Sequence, residues 1–445
     1  MSFYLSANFV YNTNMSLNKT PSANRVHIAF FGRRNAGKSS LVNAVTGQNL
    51  AVVSGIKGTT TDPVYKAMEL LPLGPVVIID TPGFDDEGEL GEMRVQKTLQ
   101  VLNKTDIAVL VLDGELPPDT ALSAIEVKLI GIFKDKNIPY IIAHNKCDIF
   151  LNKNMRTQRK CYENCTRTQC SPCPVWLEKI EESSEISVEI LPVSTKTGMN
   201  ISLLKEKIAA IAFREDPKQP LVEDLIRPLD LVILVIPIDK AAPKGRLILP
   251  QQQMIRCILE AGGIAVTVRD SELKKTLASL GRNPALVITD SQIFGKVSAI
   301  VPQEIPLTSF SILFARHKGW LETAVKGAAA LNTLQDGDNV LICESCTHHR
   351  QCDDIGTVKL PRWIKSFTSK EPVFSFCSGS DFPQDISSYK LIIHCGACMI
   401  NEREIQYRRR YAEAENIPFT NYGIALALIM GILDRSIAML TNNRL

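Results

Sequence analysis

Three cysteines and two histidines, in Cys346-Thr347-His348 and His394-Cys395-Gly396-Ala397-Cys398, sit in a chain of 445 residues that begins with a phosphate-binding motif. Thiolates bind iron and zinc strongly, and imidazole is a weaker, exchangeable ligand. This set suits an iron-sulfur cluster or a structural zinc of the Cys₃His kind. The second chemistry lies in Gly32-Arg33-Arg34-Asn35-Ala36-Gly37-Lys38-Ser39. Glycines there let backbone amides of Ala36 and its neighbours close around phosphates, Lys38 reaches the outer phosphates, and the Ser39 hydroxyl, with Ser40 beside it, faces magnesium.

Further motifs follow in the required order. Asp80-Thr81-Pro82-Gly83 offers a metal-facing aspartate and a glycine amide that senses a terminal phosphate. In Asn145-Lys146-Cys147-Asp148, the Asp148 carboxylate accepts the ring and exocyclic amino protons of guanine, a donor pair that adenine lacks. Ser194-Thr195-Lys196 completes the base pocket. The predicted cofactors are therefore GTP and Mg²⁺, with Lys38, Thr60, Asp80 and Gly83 as catalytic groups.

The elements that position these residues alternate between short apolar runs and helical stretches. Strands are predicted at 26–31, 76–80, 107–112, 140–144 and 190–193, the pattern of a parallel sheet covered by helices. Pro217, Pro220 and Pro228 mark a linker. A second α/β unit follows, with strands expected at 229–238, 264–268, 285–289 and 310–315 and helices at 251–260 and 271–280. No phosphate loop follows any of these strands, so this unit is read as an assembly domain. A third unit holds the second cysteine group and a basic helix at 402–415. The predicted division is an amino-terminal extension (1–24), a nucleotide domain (25–214), an assembly domain (215–316) and a metal-carrying domain (317–445).

Composition narrows the class. An apolar content of 45% suffices for several cores, and 50 basic against 47 acidic residues give no pointer to nucleic acid. Twelve cysteines with no recognisable signal peptide suit a reducing compartment, with the cytoplasm as default. The apolar run at 423–433 is too short for a membrane span, which needs about 20 residues. Met15 is an alternative start to Met1. Cys147, Cys257 and Cys377 are expected to be packing residues. Cys161, Cys165, Cys170 and Cys173, in an insert near 150–190, form either a second metal site or a surface loop with free thiols.

The nucleotide motifs resemble the GTPase class that includes Era and the tRNA-modifying enzyme MnmE. That resemblance makes Gly58-Thr59-Thr60-Thr61-Asp62 a switch segment with Thr60 a magnesium ligand, and makes Asn35 a candidate to help hold a potassium ion against the phosphates. Phe84 stands where many GTPases carry a water-orienting glutamine. An apolar side chain cannot position water, so slow intrinsic hydrolysis is expected, on the order of 10⁻⁴ to 10⁻² per second.

With the two cysteine groups added, the chain resembles the HydF family of iron-iron hydrogenase maturation GTPases from Met15 onward; the segments at 85–92 and 242–246 also look like that family. The resemblance implies a GTPase domain, a dimerisation domain and a smaller α/β domain carrying a 4Fe-4S cluster on Cys346, Cys395 and Cys398. His348 or His394 then either caps the fourth iron or hydrogen-bonds behind the ligands; Asp239 is more readily an ordinary strand-end residue than a cap. It also implies a scaffold or carrier role, a homodimer or higher oligomer, and the radical-SAM maturases HydE and HydG and the hydrogenase apoprotein as partners. The reading that competes with it is a tRNA- or ribosome-associated GTPase of the Era and MnmE class with a structural zinc.

Overall fold

The computed structural model describes residues 22–48, 62–83, 97–114, 122–149, 190–212, 219–238, 247–345, 354–379 and 381–441. Thr60, Phe84, the cysteines at 161, 165, 170 and 173, Asp239, Cys346 and His348 lie outside them.

The first sheet contains β1 (Val26–Phe31), β2 (Val64–Leu70), β3 (Gly74–Asp80), β4 (Ile107–Asp113), β5 (Tyr140–Asn145) and β6 (Ile190–Pro192), in the order β2-β3-β1-β4-β5-β6. All neighbours are parallel except β2, which runs antiparallel to β3. Alternate residues of one strand feed two cores. Ile28 and Phe30 pack with Leu41 and Val45 of α1 (Lys38–Thr46) and Leu204 and Ile208 of α3 (Ile201–Ala212). Ala29 and Phe31 face the other way, onto Leu129 and Phe133 of α2 (Ala124–Asp135). Burial on both faces makes these strands continuous apolar runs. The largely exposed β2 lacks such a run and escapes the sequence pattern.

The second sheet orders β7 (Leu231–Val235), β8 (Ile264–Val268), β9 (Leu286–Thr289) and β10 (Leu307–Ser309) as β10-β9-β7-β8, all parallel. Its helices are α4 (Leu249–Glu260), α5 (Leu273–Ser279), α6 (Phe294–Ile300) and α7 (Phe310–His317). The strand expected at 310–315 is this last helix. Strand β10 ends at Ser309, whose hydroxyl accepts from Ile312 N at 3.4 Å and caps the helix. A short apolar run has no periodicity to separate helix from strand, and the cap decided. The proline-marked linker is also shorter than expected, because Leu221, Val222 and Ile226 are already buried in this unit's core.

The third sheet, β11 (Asn339–Glu344), β12 (Val373–Ser378), β13 (Leu391–His394) and β14 (Phe419–Asn421), is parallel in the order β12-β11-β13-β14. Helices α8 (Leu321–Ala328), α9 (Leu360–Thr368), α10 (Glu402–Ala414), α11 (Tyr422–Ile429) and α12 (Leu433–Thr441) surround it. Residues of the second and third sheets, such as Ile233 and Ile392, belong to one continuous apolar core. No helix among the described residues is long and apolar enough to cross a membrane.

Candidate functional site

The phosphate loop leaves the carboxyl end of β1 and enters α1. Its backbone needs left-handed geometry at Asn35 (φ 63°) and Gly37 (φ 87°). Gly37 has a second reason to be glycine: a Cβ there would lie 2.3 Å from Asn145 Nδ2. That amide donates to Ala36 O at 3.0 Å and ties the Asn145–Asp148 segment to the loop. Lys38 is buried, and its ammonium donates to Gly32 O at 2.9 Å and Arg33 O at 2.7 Å, at the mouth of the loop.

Asp80 ends β3 and accepts from the Ser39 hydroxyl at 2.6 Å. Burial pushes its carboxyl pKa up, an effect that the Ser39 bond and the Lys38 charge offset in part. Its second oxygen, Oδ1, is buried with no hydrogen-bond partner among the described residues. A hard divalent cation between Ser39 and Asp80 would satisfy that oxygen and favour the ionised carboxylate against the effect of burial, so the residues present fit magnesium. Gly83 approaches the loop so closely that a Cβ would meet Arg34 Cα at 2.9 Å.

In the Asn145–Asp148 segment, Asp148 Oδ1 accepts from Ser194 Oγ at 2.7 Å, and Lys146, at φ 58°, pairs with Asp113 at 3.1 Å. Thr195 and Lys196 line an open cleft against Ser40 and Asn43 of α1. The predicted nucleotide residues thus converge at the carboxyl edge of the first sheet, apart from Thr60, which lies outside the described residues.

The sulfur site is built at the carboxyl end of β13. Cys395 N donates to Cys343 O at 2.9 Å, and its sulfur accepts from Ser345 N at 3.1 Å, so the segment leading to Cys346 and the Cys395 turn are held together. The turn is left-handed at Ala397 (φ 57°), and a Cβ on Gly396 would lie 3.1 Å from Ser311 Cα. Lys318, itself buried, donates to the carbonyls of Ala397 and, at 2.6 Å, Ile400. Burial pushes the Cys398 thiol up to about 12, with the neighbouring Cys395 adding to this and Lys318 opposing it; burial raises Cys395 as well. A metal must displace those protons to bind. Paired thiols with a backbone amide and a buried ammonium beside them fit a thiolate-held, anionic iron-sulfur group.

His394 has both ring nitrogens engaged. Arginine can only donate, so Nε2 accepts from Arg408 at 3.1 Å and Nδ1 carries the proton, donating to Cys395 O at 2.9 Å. Burial and the Arg408 charge lower its pKa to about 3. Of the two roles open to His394, this geometry favours hydrogen bonding behind the sulfurs over capping iron. Arg408 is fully buried, pairs with Glu404 at 2.7 Å and donates to Gly379 O at 2.6 Å. Lys318, Ser345, Glu404 and Arg408 were not among the sequence candidates, because they come from elements distant in the chain. The Asn401-x-x-Glu404 spacing that caps α10, with Glu404 N donating to Asn401 Oδ1 at 3.1 Å, was the one local signal.

Helix α10 also touches the first domain. Asn401 Nδ2 donates to Lys104 O at 2.8 Å, Arg403 pairs with Asp106 at 3.3 Å, and Lys136 lies 4.5 Å from the centre of the Tyr407 ring. Elsewhere, ligand atoms of Glu223, Cys257 and Glu260 lie within 4.8 Å of one another. Arg256 neutralises Glu260 at 2.6 Å, and burial with the Glu223 hydrogen bond pushes the Cys257 thiol up to about 12. This is the pattern of a packed, protonated thiol.

A largely parallel sheet with this loop, strand-end aspartate and Asn145–Asp148 segment defines a P-loop GTPase domain. Residues 27–146 match the family described as "50S ribosome-binding GTPase". Residues 221–319 match "Hydrogen maturase F dimerization domain" and residues 322–439 match "Hydrogen maturase F tetramerization domain". The chain belongs to the hydrogen maturase F (HydF) family. Among curated proteins it is similar to GTPase Der of Wolinella succinogenes, 30% identical over 198 residues, 44% of this chain and 37% of that protein. It is also 38% identical over 191 residues to the tRNA modification GTPase MnmE of Endomicrobium trichonymphae, 42% of this chain and 35% of that protein. The chain therefore spans little more than a third of the length of either relative. Among solved structures, Aquifex aeolicus Era bound to GDP.AlF4- is 18% identical, with a TM-score of 0.33, over 55% of this chain and 92% of that one.

Proposed function

We propose that this protein hydrolyses GTP slowly and uses its nucleotide state to regulate assembly or release of a di-iron precursor during maturation of iron-iron hydrogenases. The observation that carries the reading is the joining, in one chain, of the Ser39–Asp80 nucleotide site with both hydrogen maturase F domains. In the nucleotide site, Lys38 binds the outer phosphates, and Ser39, Asp80 and Thr60 hold magnesium. Asn145, Lys146, Asp148 and the Ser194 to Lys196 loop select guanine. Asn35 helps hold a potassium ion, whose charge does the work of an arginine finger.

Cys346, Cys395 and Cys398 hold a 4Fe-4S cluster. As three thiolate ligands, these residues would leave a cluster iron open to exchangeable ligands, the chemistry that attachment of a di-iron cargo would need. Lys318 and the His394–Arg408 pair orient the Cys395 turn and offset its negative charge. The protein works as a homodimer or higher oligomer in the cytoplasm, with the maturases HydE and HydG and the hydrogenase apoprotein as partners.

Anaerobic purification, followed by an absorption spectrum and an iron count, tests the reading. A brown protein with about four irons per chain supports it. A protein that stays colourless after reconstitution with iron and sulfide, or that holds zinc alone, overturns it. Lys38→Ala is expected to lower GTP turnover at least about a hundredfold while leaving iron content unchanged.

A further inference from the structure

Cys343 and Cys377 belong to no part of the cluster reading, and both are free thiols. They are in-register partners on the parallel strands β11 and β12. Neighbouring strands lie about 4.8 Å apart, inside the Cα separation of about 4.4–6.8 Å that a disulfide spans. Both side chains lie in the same core cluster, on the same face of the sheet.

Their surroundings differ in the way that an attacking and a resolving thiol require. Strand β12 is the edge of its sheet; Cys377 is 8% exposed and Cys343 is 0% exposed. The Cys343 thiol and the buried Arg408 guanidinium both act on the Cys377 sulfur. Together these outweigh burial and the charges of Asp381 and Glu344, bringing the Cys377 thiol below the ordinary thiol range. A thiol with raised thiolate character on an edge strand, backed by a fully buried one in register on the next strand, is the arrangement of thiol–disulfide exchange.

We propose that Cys343 and Cys377 are a redox-active dithiol that exchanges with small-molecule disulfides, Cys377 attacking and Cys343 resolving. The Cys377 thiolate attacks one sulfur of the disulfide, whose S–S bond breaks as one thiolate leaves. Cys343 then gives up its proton and attacks the Cys377 sulfur of the mixed disulfide, and the second thiolate leaves. Two protein thiols are oxidised to one disulfide, and one small-molecule disulfide is reduced to two thiols. Because Cys343 O accepts from Cys395 N and Cys346 lies three residues further on, the new bond forms beside the Cys395 turn. The proposal does not depend on the cluster reading.

The test treats the full-length, anaerobically purified protein with oxidised glutathione, digests it without reductant and maps the peptides by mass spectrometry. Wild-type protein is expected to yield the Cys343–Cys377 linked pair. Cys343→Ser is expected to lose the link and accumulate glutathione on Cys377, and Cys377→Ser to lose both products. Cys343→Ala, which places no hydroxyl in the core, repeats the trapping measurement if the serine variant does not fold. The proposal is overturned if folded wild-type protein forms no link, if Cys377 links to another cysteine instead, or if neither Cys343 variant traps glutathione on Cys377.

Discussion

Replacing Arg408 with methionine separates a structural network from a surface decoration on the same helix. Arg408 has a fully buried side chain, and its Glu404 partner is 9% exposed. Its guanidinium donates twice to Glu404 Oε1, at 2.7 and 3.1 Å, once to Gly379 O at 2.6 Å and once to His394 Nε2 at 3.1 Å. Methionine fills much of the volume but leaves the Glu404 carboxylate buried without its cation. Breaking a buried pair from one side costs about 3–5 kcal/mol, because it leaves an uncompensated buried charge. At about 1.4 kcal/mol per decade, that is two to three and a half orders of magnitude in the unfolding equilibrium of this region. The next residue supplies the control: Arg409 pairs with Glu413 at 2.7 Å, but that carboxylate is 44% exposed, so Arg409→Ala should cost under about 1 kcal/mol. Urea titration followed by tryptophan fluorescence, to which Trp320 contributes from beside His394 with ring centroids 6.3 Å apart, reports the transition. The double variant Glu404→Gln with Arg408→Met should recover a large part of the loss, since no buried charge remains. Equal midpoints for Arg408→Met and Arg409→Ala would refute the reasoning.

Other outcomes are equally specific. Because burial lowers the His394 pKa to about 3 in the folded chain, against an ordinary imidazole value of about 6.5, the unfolded chain binds more protons between these pH values, and stability falls as pH drops below about 6.5. This one group should remove about 1.4 kcal/mol per pH unit between pH 6 and 5, and His394→Gln should flatten that slope in urea titrations at matched pH. Asp80→Asn keeps the Ser39 contact but removes the negative charge, so magnesium-dependent GTP affinity should fall at least about tenfold by calorimetry, with metal-free binding little changed. Gly37→Ala forces a side chain into left-handed backbone against Asn145, costing about 1–3 kcal/mol, and should lower both thermal stability and GTP affinity.

The local order of residues is enough to place the phosphate loop, Asp80 and Asn145 to Asp148, because each motif must follow a buried strand, and buried parallel strands are continuous apolar runs that sequence displays. The same logic finds β7, β8 and β9 but turns 310–315 into a strand, since a short apolar run carries no period and the deciding contact is a single Ser309 cap. It misses β2, whose exposed edge position removes the pattern. The sulfur turn at 395–398 is legible because thiols at that spacing are rare; what surrounds it is not. Lys318, 77 residues before Cys395, and Arg408, on the helix after it, reach the turn only once β11, β13 and α10 have packed. Sequence thus determined which groups can do chemistry and on which strand ends they stand. Tertiary packing alone decided that both nitrogens of His394 are taken, and that Cys343 lies beside Cys377, because sheet register and burial bring together atoms whose separation along the chain carries no trace of the meeting.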